Sequence, residues 1–303
     1  EAMANQSFGM VLGKGGADII ITALSAAIEA KGGQILCDHT VEQILQQDGR
    51  ATGIVVEGET IHAQRAVIAN VAPSAMKRLT GGSGQPGYDR SLETFRHAPG
   101  TMMIHLAISD LPDWRASAEL REFAYVHIAP SLDQMSQCYQ QASAGLLPQE
   151  PVIVVGQPTA VDPSRAPHGQ HILWIQVRMV PGQIKADAAG RITTTDWTQA
   201  AAPYADRVLD LIEAHAPGLR GNILGQRIVT PVELERDNPN LVGGDQVCGS
   251  HHLSQHFLFR PARGYADGTT PIQNLYHTGA AVWPGAGTGA GSGYQLGRKL
   301  TGT

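Results

Sequence analysis

The period of the hydrophobic positions changes several times along the chain, and each change marks an element. In DIIITALSAAIEAKGG, Ile19, Leu24, Ala27 and Ile28 fall at spacings that share one helical face. Asp18 is placed to cap that helix, and Gly32-Gly33 to stop it. QILCD, TVEQILQQDGRATGIVVEG and ETIHAQRAVIAN then read as strands, with turns at Asp48-Gly49 and Glu57-Gly58. The β-rich stretch ends at Val67-Ile68-Ala69-Asn70, and Pro73 suits the first turn of a short helix. TGGSGQPG, residues 80–87, predicts a flexible loop and a boundary. TMMIHLAI, PVIVVG and QHILWIQVRMV are predicted strands. In the last, alternation puts Trp174, Gln176, Arg178 and Val180 on one face and Ile175, Val177 and Met179 on the other. DWTQAAAPYADRVLDLIEAHAPG is a predicted helix capped by Asp196 and ended by Pro217-Gly218, and Ile223 to Thr230 a further strand.

Composition narrows this to a folded α/β chain. Of 303 residues, 42% are hydrophobic and only 16% charged, against a usual charged share of about 25%. The net charge of −5 disfavours nucleic acid as a partner. No run of 18 apolar residues provides a spanning segment, and no signal peptide is visible. The opening EAMANQSFGM lacks an initiator methionine, which points to a start upstream or a trimmed one. Cys37, Cys138 and Cys248 are scattered without a CxxC pair, which disfavours a disulfide framework or zinc site and fits a reduced, cytoplasmic setting.

Three stretches carry candidate chemistry. Between Gly285 and Gly293 fall five glycines, just ahead of a helix-like YQLGRKL, a pattern suited to close backbone approach and to anions at a helix start. DQVCGSHHLSQHF concentrates histidines, and His252 and His256 are four apart, as on one helical face; with His251 or Asp245 they form a weak metal-like set, for which surface or satisfied histidines are the default and no metal is expected. No GxSxG elbow occurs, and Ser250 beside His251 is a poor hydrolase signal because adjacency does not orient a base. Arg178 and Arg260 are scarce charges able to hold a carboxylate or an ordinary salt bridge, and Trp283 offers aromatic surface near a cavity.

Three segments together resemble phytoene desaturase-like, FAD-dependent oxidoreductases of the amine-oxidase fold. The first is the glycine-rich entry, helix and KGGQI, continued by VEQILQQDGRATGIVVEGETIHAQRAVIANVAP. The second is DNPNLVGGDQVCGSHHLSQHFLFRPARGYADGTTPIQNLYHTGAAVWPGAG, and the third GTGAGSGYQLGRKL. The resemblance is to the C-terminal two thirds of that fold alone, because no GxGxxG follows a strand; GKGGAD, residues 13–18, reads as a tether and helix entry. It implies a remnant of an FAD-linked reductase fold with a mixed-sheet substrate domain. Residues 1–80 would be a partial FAD region with a β-meander, 81–230 a substrate-domain-like region, and 231–303 a return to the FAD region. Gly279, Gly285, Gly287, Thr288 and Gly289 would line a flavin, held weakly or not at all by this chain alone. Arg178, His256, Arg260 and Trp283 would face a substrate pocket, with no catalytic base identified. The implied function is oxidation or desaturation of an apolar small molecule by a truncated or split enzyme, cytoplasmic or peripheral to a membrane, with a second copy or a separate N-terminal half as partner. The alternatives are a non-catalytic binding or assembly protein and a hydrolase built on the remnant.

Overall fold

The computed structural model describes residues 12–287 and 290–302. The first helix, α1 (Asp18–Glu29), starts with Asp18 inside its first turn; Ala17 holds the cap position and no side chain caps it. Its apolar stripe faces solvent, and none of its residues is buried. The predicted QILCD strand is absent, and the chain bends there through Asp38 at φ 59°. The meander follows as β1 (Val41–Gln47), β2 (Arg50–Val56) and β3 (Glu59–His62), paired antiparallel in that order. Asp48-Gly49 and Glu57-Gly58 all take positive φ, the left-handed pair of a two-residue hairpin turn. After β4 (Val67–Ala69), α2 (Pro73–Thr80) begins at its proline and closes on Gly81 at φ 69°. The predicted flexible loop is shorter than expected: Pro86 starts α3 (Pro86–Glu93), and the Asp89 carboxylate accepts from the Ser83 amide at 3.0 Å.

A larger sheet follows. Its region contains β5 (Gly100–Ile108), β6 (Tyr125–Ile128), α4 (Leu132–Ser143), β7 (Leu146–Leu147), β8 (Val152–Gly156), β9 (His171–Val180), β10 (Ala186–Asp187), α5 (Trp197–His215), β11 (Ile223–Val229) and α6 (Pro231–Asp237). Five strands run antiparallel in the order β11-β5-β9-β8-β6. One face is continuous core. Ile104, Leu106, Ile153, Val155, Ile175 and Val177 pack with the buried positions of α5, namely Trp197, Ala200, Tyr204, Ala205, Val208, Leu209 and Ile212. Those helical positions recur every three or four residues, the stripe that one helix face must bury. Val180 joins this core, not the face of Trp174. Met179, at φ 59°, is an extra residue: Gly100 pairs with Val180 and Thr101 with Arg178, so the pleat inverts. The other face carries Met103, His105, Trp174, Gln176 and Arg178. The Trp174 indole lies against Gly156 and stacks edge-on with Tyr125 at 5.2 Å.

The chain then returns to the first region. β12 (Leu275–His277) pairs parallel with β4, and α7 (Gly291–Thr301) follows the glycine-rich segment. Gln273 exchanges backbone hydrogen bonds with Gly49 and Ala51, tying the meander to this pair. A second core of Ile44, Ala51, Met76, Leu79, Leu92 and Leu275 unites residues more than 200 positions apart. The result is the mixed α/β fold expected, with two distinct sheet regions. Among the described residues no helix is long and apolar enough to cross a membrane.

Gly156 provides a direct check on the packing of the large sheet. A Cβ there would meet Trp174 Cε2 at 2.1 Å. Gly156→Ala is expected to displace the indole and destabilise the protein by about 1–3 kcal/mol in denaturant titration, with altered tryptophan emission. An unchanged midpoint and spectrum would contradict that packing.

Candidate functional site

β4 and β12 are parallel neighbours, so both chains leave the sheet on the same side, where ligands of open α/β sheets sit. A cleft of about 420 Å³ opens there, between Asn70-Val71, the Asn238–Cys248 segment and the Thr278–Gly293 segment. Among its described lining residues none carries a charged side chain; Asn70, Asn238, Asn240 and Gln246 supply carboxamides, and Gly279, Gly285, Gly287, Gly291 and Gly293 supply bare backbone. A larger groove of about 730 Å³ lies elsewhere, beside the start of α5 and α6. Its Asp196 and Glu233 already cap those helices.

Each wall is fixed by side chains that satisfy irregular backbone. On the first, Asn240 Oδ1 accepts from the Ala72 amide at 2.8 Å, Asn240 Nδ2 donates to Asn70 O at 3.3 Å, and His277 Nε2 donates to Val71 O at 2.8 Å. On the second, Ser292 Oγ accepts from the Gly279 amide and lies 3.0 Å from Gly279 O, knotting the start of α7 to the end of β12. The third wall is the loop from Asp245 to Ser250. Fully buried Asp245 accepts from the amides of Ala98, Val247 and Gly249 at 2.7–3.0 Å, with His97 Nδ1 3.4 Å away. Burial alone would raise this carboxyl, but the hydrogen bonds from His97 and the three amides outweigh it and hold it below its ordinary value.

Two glycines of the cleft serve different ends. Gly279, at φ 102°, brings the chain so near β4 that a Cβ would lie 2.0 Å from Asn70 Oδ1. Gly287 differs: a Cβ there meets nothing within 4 Å, so its backbone is bare toward the cleft.

The structure brings Gly279, Gly285 and Gly287 together along this cleft; Thr288 and Gly289 lie outside the described residues. His256 and Trp283 meet at 5.2 Å beside Phe257, and neither lines the cleft. His252 and His256 do not share a helical face, because their segment folds as two separate 3-10 turns, 253–255 and 257–259. The ring near His256 is His251, at 5.2 Å, its pKa lowered by burial and then by Arg260 and His256. Arg178 is exposed on the open face of β9. Arg260 is fully buried behind the cleft. Sequence reasoning singled out none of Asn240, Gln246 and Ser292, although all three lie in the segments that carry the resemblance; only the fold shows which groups they satisfy. It also missed that Gln176 of β9 donates to Gln246 Oε1 at 2.6 Å, joining the cleft to the open face of the large sheet.

Comparison with known proteins gives this arrangement a family. The model of flavin containing amine oxidoreductases matches residues 3–219, well over half of the sequence. The chain belongs to that family. The match corrects one expectation. The sequence resemblance was confined to the C-terminal two thirds of the family fold, on the ground that GxGxxG is missing; the family match instead begins at residue 3 and lies over the N-terminal part of this chain. The inference rested on one absent loop motif, whereas α1, the meander and strands β4 to β10 fall within the match. A rat protein, pyridine nucleotide-disulfide oxidoreductase domain-containing protein 2, is 29% identical over 90% of this chain and 48% of its own. Phytoene desaturase (lycopene-forming) of Paracoccus sp. is 26% identical over 92% and 52%. The chain thus spans about half the length of these curated relatives. An oxidoreductase structure from Methanosarcina mazei superposes on 99% of this chain and 58% of its own with a TM-score of 0.61 at 18% identity, which shows the shared fold.

His277 tests the first wall. Complete burial lowers its pKa to about 4, from an ordinary 6.5. The unfolded chain therefore binds the extra proton first, so the stabilising contribution is full above pH 6.5 and falls away as the pH drops through 4. Stability is expected to lose about 3 kcal/mol from this group over that window. Denaturation of His277→Gln against pH should show a correspondingly shallower slope; parallel curves for the two proteins would refute the assignment.

Proposed function

We propose that the cleft beyond β4 and β12 is the ring-side part of an FAD site in an oxidoreductase that acts on an apolar organic substrate. The observation that carries this reading is the lining itself: bare glycine backbone and carboxamides, without a charged side chain among the described residues. That donor set matches the amide-like edge of an uncharged heteroaromatic ring better than a phosphate chain. Gly279, Gly285 and Gly287 would hold the group by backbone contact, with Thr288 and Gly289 continuing the seam. The first-turn amides of Gly291, Ser292 and Gly293 favour an oxygen or partial negative charge at the start of α7. Because no lysine or arginine is among the described lining residues, this chain by itself holds FAD weakly.

Bound FAD supplies a two-electron acceptor for a hydride leaving a substrate C–H bond. The protein's part is placement and exclusion of water. The open face of the large sheet, with Trp174 and Met103, offers the substrate apolar surface, and the Gln176–Gln246 bond keeps that face beside the cleft. Arg178 would meet a polar end of the substrate, and His256 with Trp283 would form the opposite rim. Cys248 is the titratable side chain among the described cleft residues. Burial, then Asp245, pushes its thiol up to about 11 against the opposing pull of Arg260, so it stays protonated and serves no base role at neutral pH. Relatives named phytoene desaturase support the choice of an apolar substrate.

Fluorescence titration of the chain with FAD is expected to saturate with a Kd on the order of 1 µM or weaker. Gly287→Val should fold as wild type, since its site is open in the free protein, yet weaken FAD at least about tenfold because the ligand needs that space. No saturable binding, or equal affinity for the two proteins, would count against the reading.

A further inference from the structure

Arg260 is wholly buried, yet among the described residues no carboxylate lies within ion-pair distance of its guanidinium. A buried cation is expensive unless its donors are matched, and here backbone carbonyls match them. Nη1 donates to Ser250 O at 3.1 Å. Nη2 donates to Cys248 O at 2.9 Å and Ala280 O at 2.8 Å, with Val247 O at 3.5 Å. The plane stands 5.5 Å from the Phe95 ring. These acceptors belong to two different cleft walls, and Cys248 and Ala280 both line the cleft. The Nε atom is buried with no hydrogen-bond partner. The Cβ position of Gly285 would be only 3.6 Å from it, so a larger residue in that turn would crowd the guanidinium.

We propose that Arg260 is the positioning residue of the cleft: it clamps the 247–250 loop to Ala280 and sets its guanidinium directly against the carbonyls of two lining residues, where its charge favours an electron-rich ligand in front. Neutral donors could hold the same carbonyls without a charge; an arginine in this position adds a field. Burial and partial neutralisation shape that field. Burial pulls the guanidinium pKa down, Cys248 and Asp245 oppose the shift, and an arginine remains protonated at neutral pH in any case. The buried Asp245 carboxylate offsets part of that charge through space without forming an ion pair with the guanidinium. Resting on the flavin reading of the cleft, the proposal has a definite consequence. Two-electron reduction makes the flavin ring more negative, so the charge of Arg260 stabilises the reduced cofactor over the oxidised one.

The test is a pair of titrations on the full chain, with oxidised FAD and with dithionite-reduced FAD under anaerobic conditions, for wild type, Arg260→Lys and Arg260→Gln. Wild type is expected to bind reduced FAD more tightly than oxidised FAD. Arg260→Lys keeps the charge and should keep most of that preference even if both affinities fall. Arg260→Gln should lose about tenfold of it, equivalent to ~1.4 kcal/mol. A merely structural role would weaken both forms equally and leave the ratio unchanged, which would overturn the charge assignment. Hydrogen exchange of the free chain separates the two readings. In Arg260→Gln, residues 247–250 and 279–285 should exchange faster while the β8–β9 core stays protected. Wild type that binds neither form of FAD would sink the flavin site and the field with it, and the exchange result would still decide the clamp. Unchanged exchange in both segments would overturn the clamp.

Discussion

The loop from Asp245 to Ser250 is held by two buried charges that divide its backbone between them. Asp245 collects amides, from Val247 and Gly249 within the loop and from Ala98 outside it. Arg260 collects carbonyls, from Cys248 and Ser250 within the loop and from Ala280 outside it. Neither charge spends its hydrogen bonds on the other. A segment with almost no regular secondary structure thereby becomes as constrained as a strand, and Cys248 can be kept at φ 48°, a backbone state that L-residues rarely adopt. A small apolar cluster of Ala72, Phe95, Cys248 and Ala281 fills the space beneath and excludes water from both charges.

The cleft depends on that constraint. Its first wall hangs from the parallel pair β4–β12, its second from the Ser292 knot, and its third from this loop. The third wall also carries Gln246, whose bond to Gln176 reaches the large sheet. The geometry thus couples two regions with separate cores: one lines the cleft with bare backbone, and the other reaches it through Gln176 on the open face of β9. A family whose cofactor performs the redox step needs this division of labour more than it needs an acid or a base.

Much of the fold was legible because local rules governed it. The Asp48-Gly49 and Glu57-Gly58 turns, the Pro73 helix start, the Asp196 cap and the strands of the large sheet follow from residue type and period. Departures arose where a single backbone event reset the pattern. Met179 at positive φ moved Val180 into the core, and bends at Asp38 and Phe257 removed a strand and a helical histidine pair. The glycine-rich segment was visible as chemistry, but its partners were not. Asn240 and Ser292 act on backbone groups, and Gln246 on the Gln176 side chain, up to 170 positions away, and no periodicity encodes such long-range matches. Arg260 stood out as a scarce charge, yet only its burial revealed that it faces carbonyls and not an acid.

The central claim is that the cleft between Asn70-Val71 and the Thr278–Gly293 segment, not the larger groove beside α5, is where a flavin sits. Amide hydrogen exchange of the chain with and without saturating FAD addresses it directly. The account requires slowed exchange at residues 69–72, 246–249 and 278–293, with residues 182–201 and 228–236 unchanged. Protection confined to the 182–201 and 228–236 segments, with the glycine-rich segment unaffected, would contradict it.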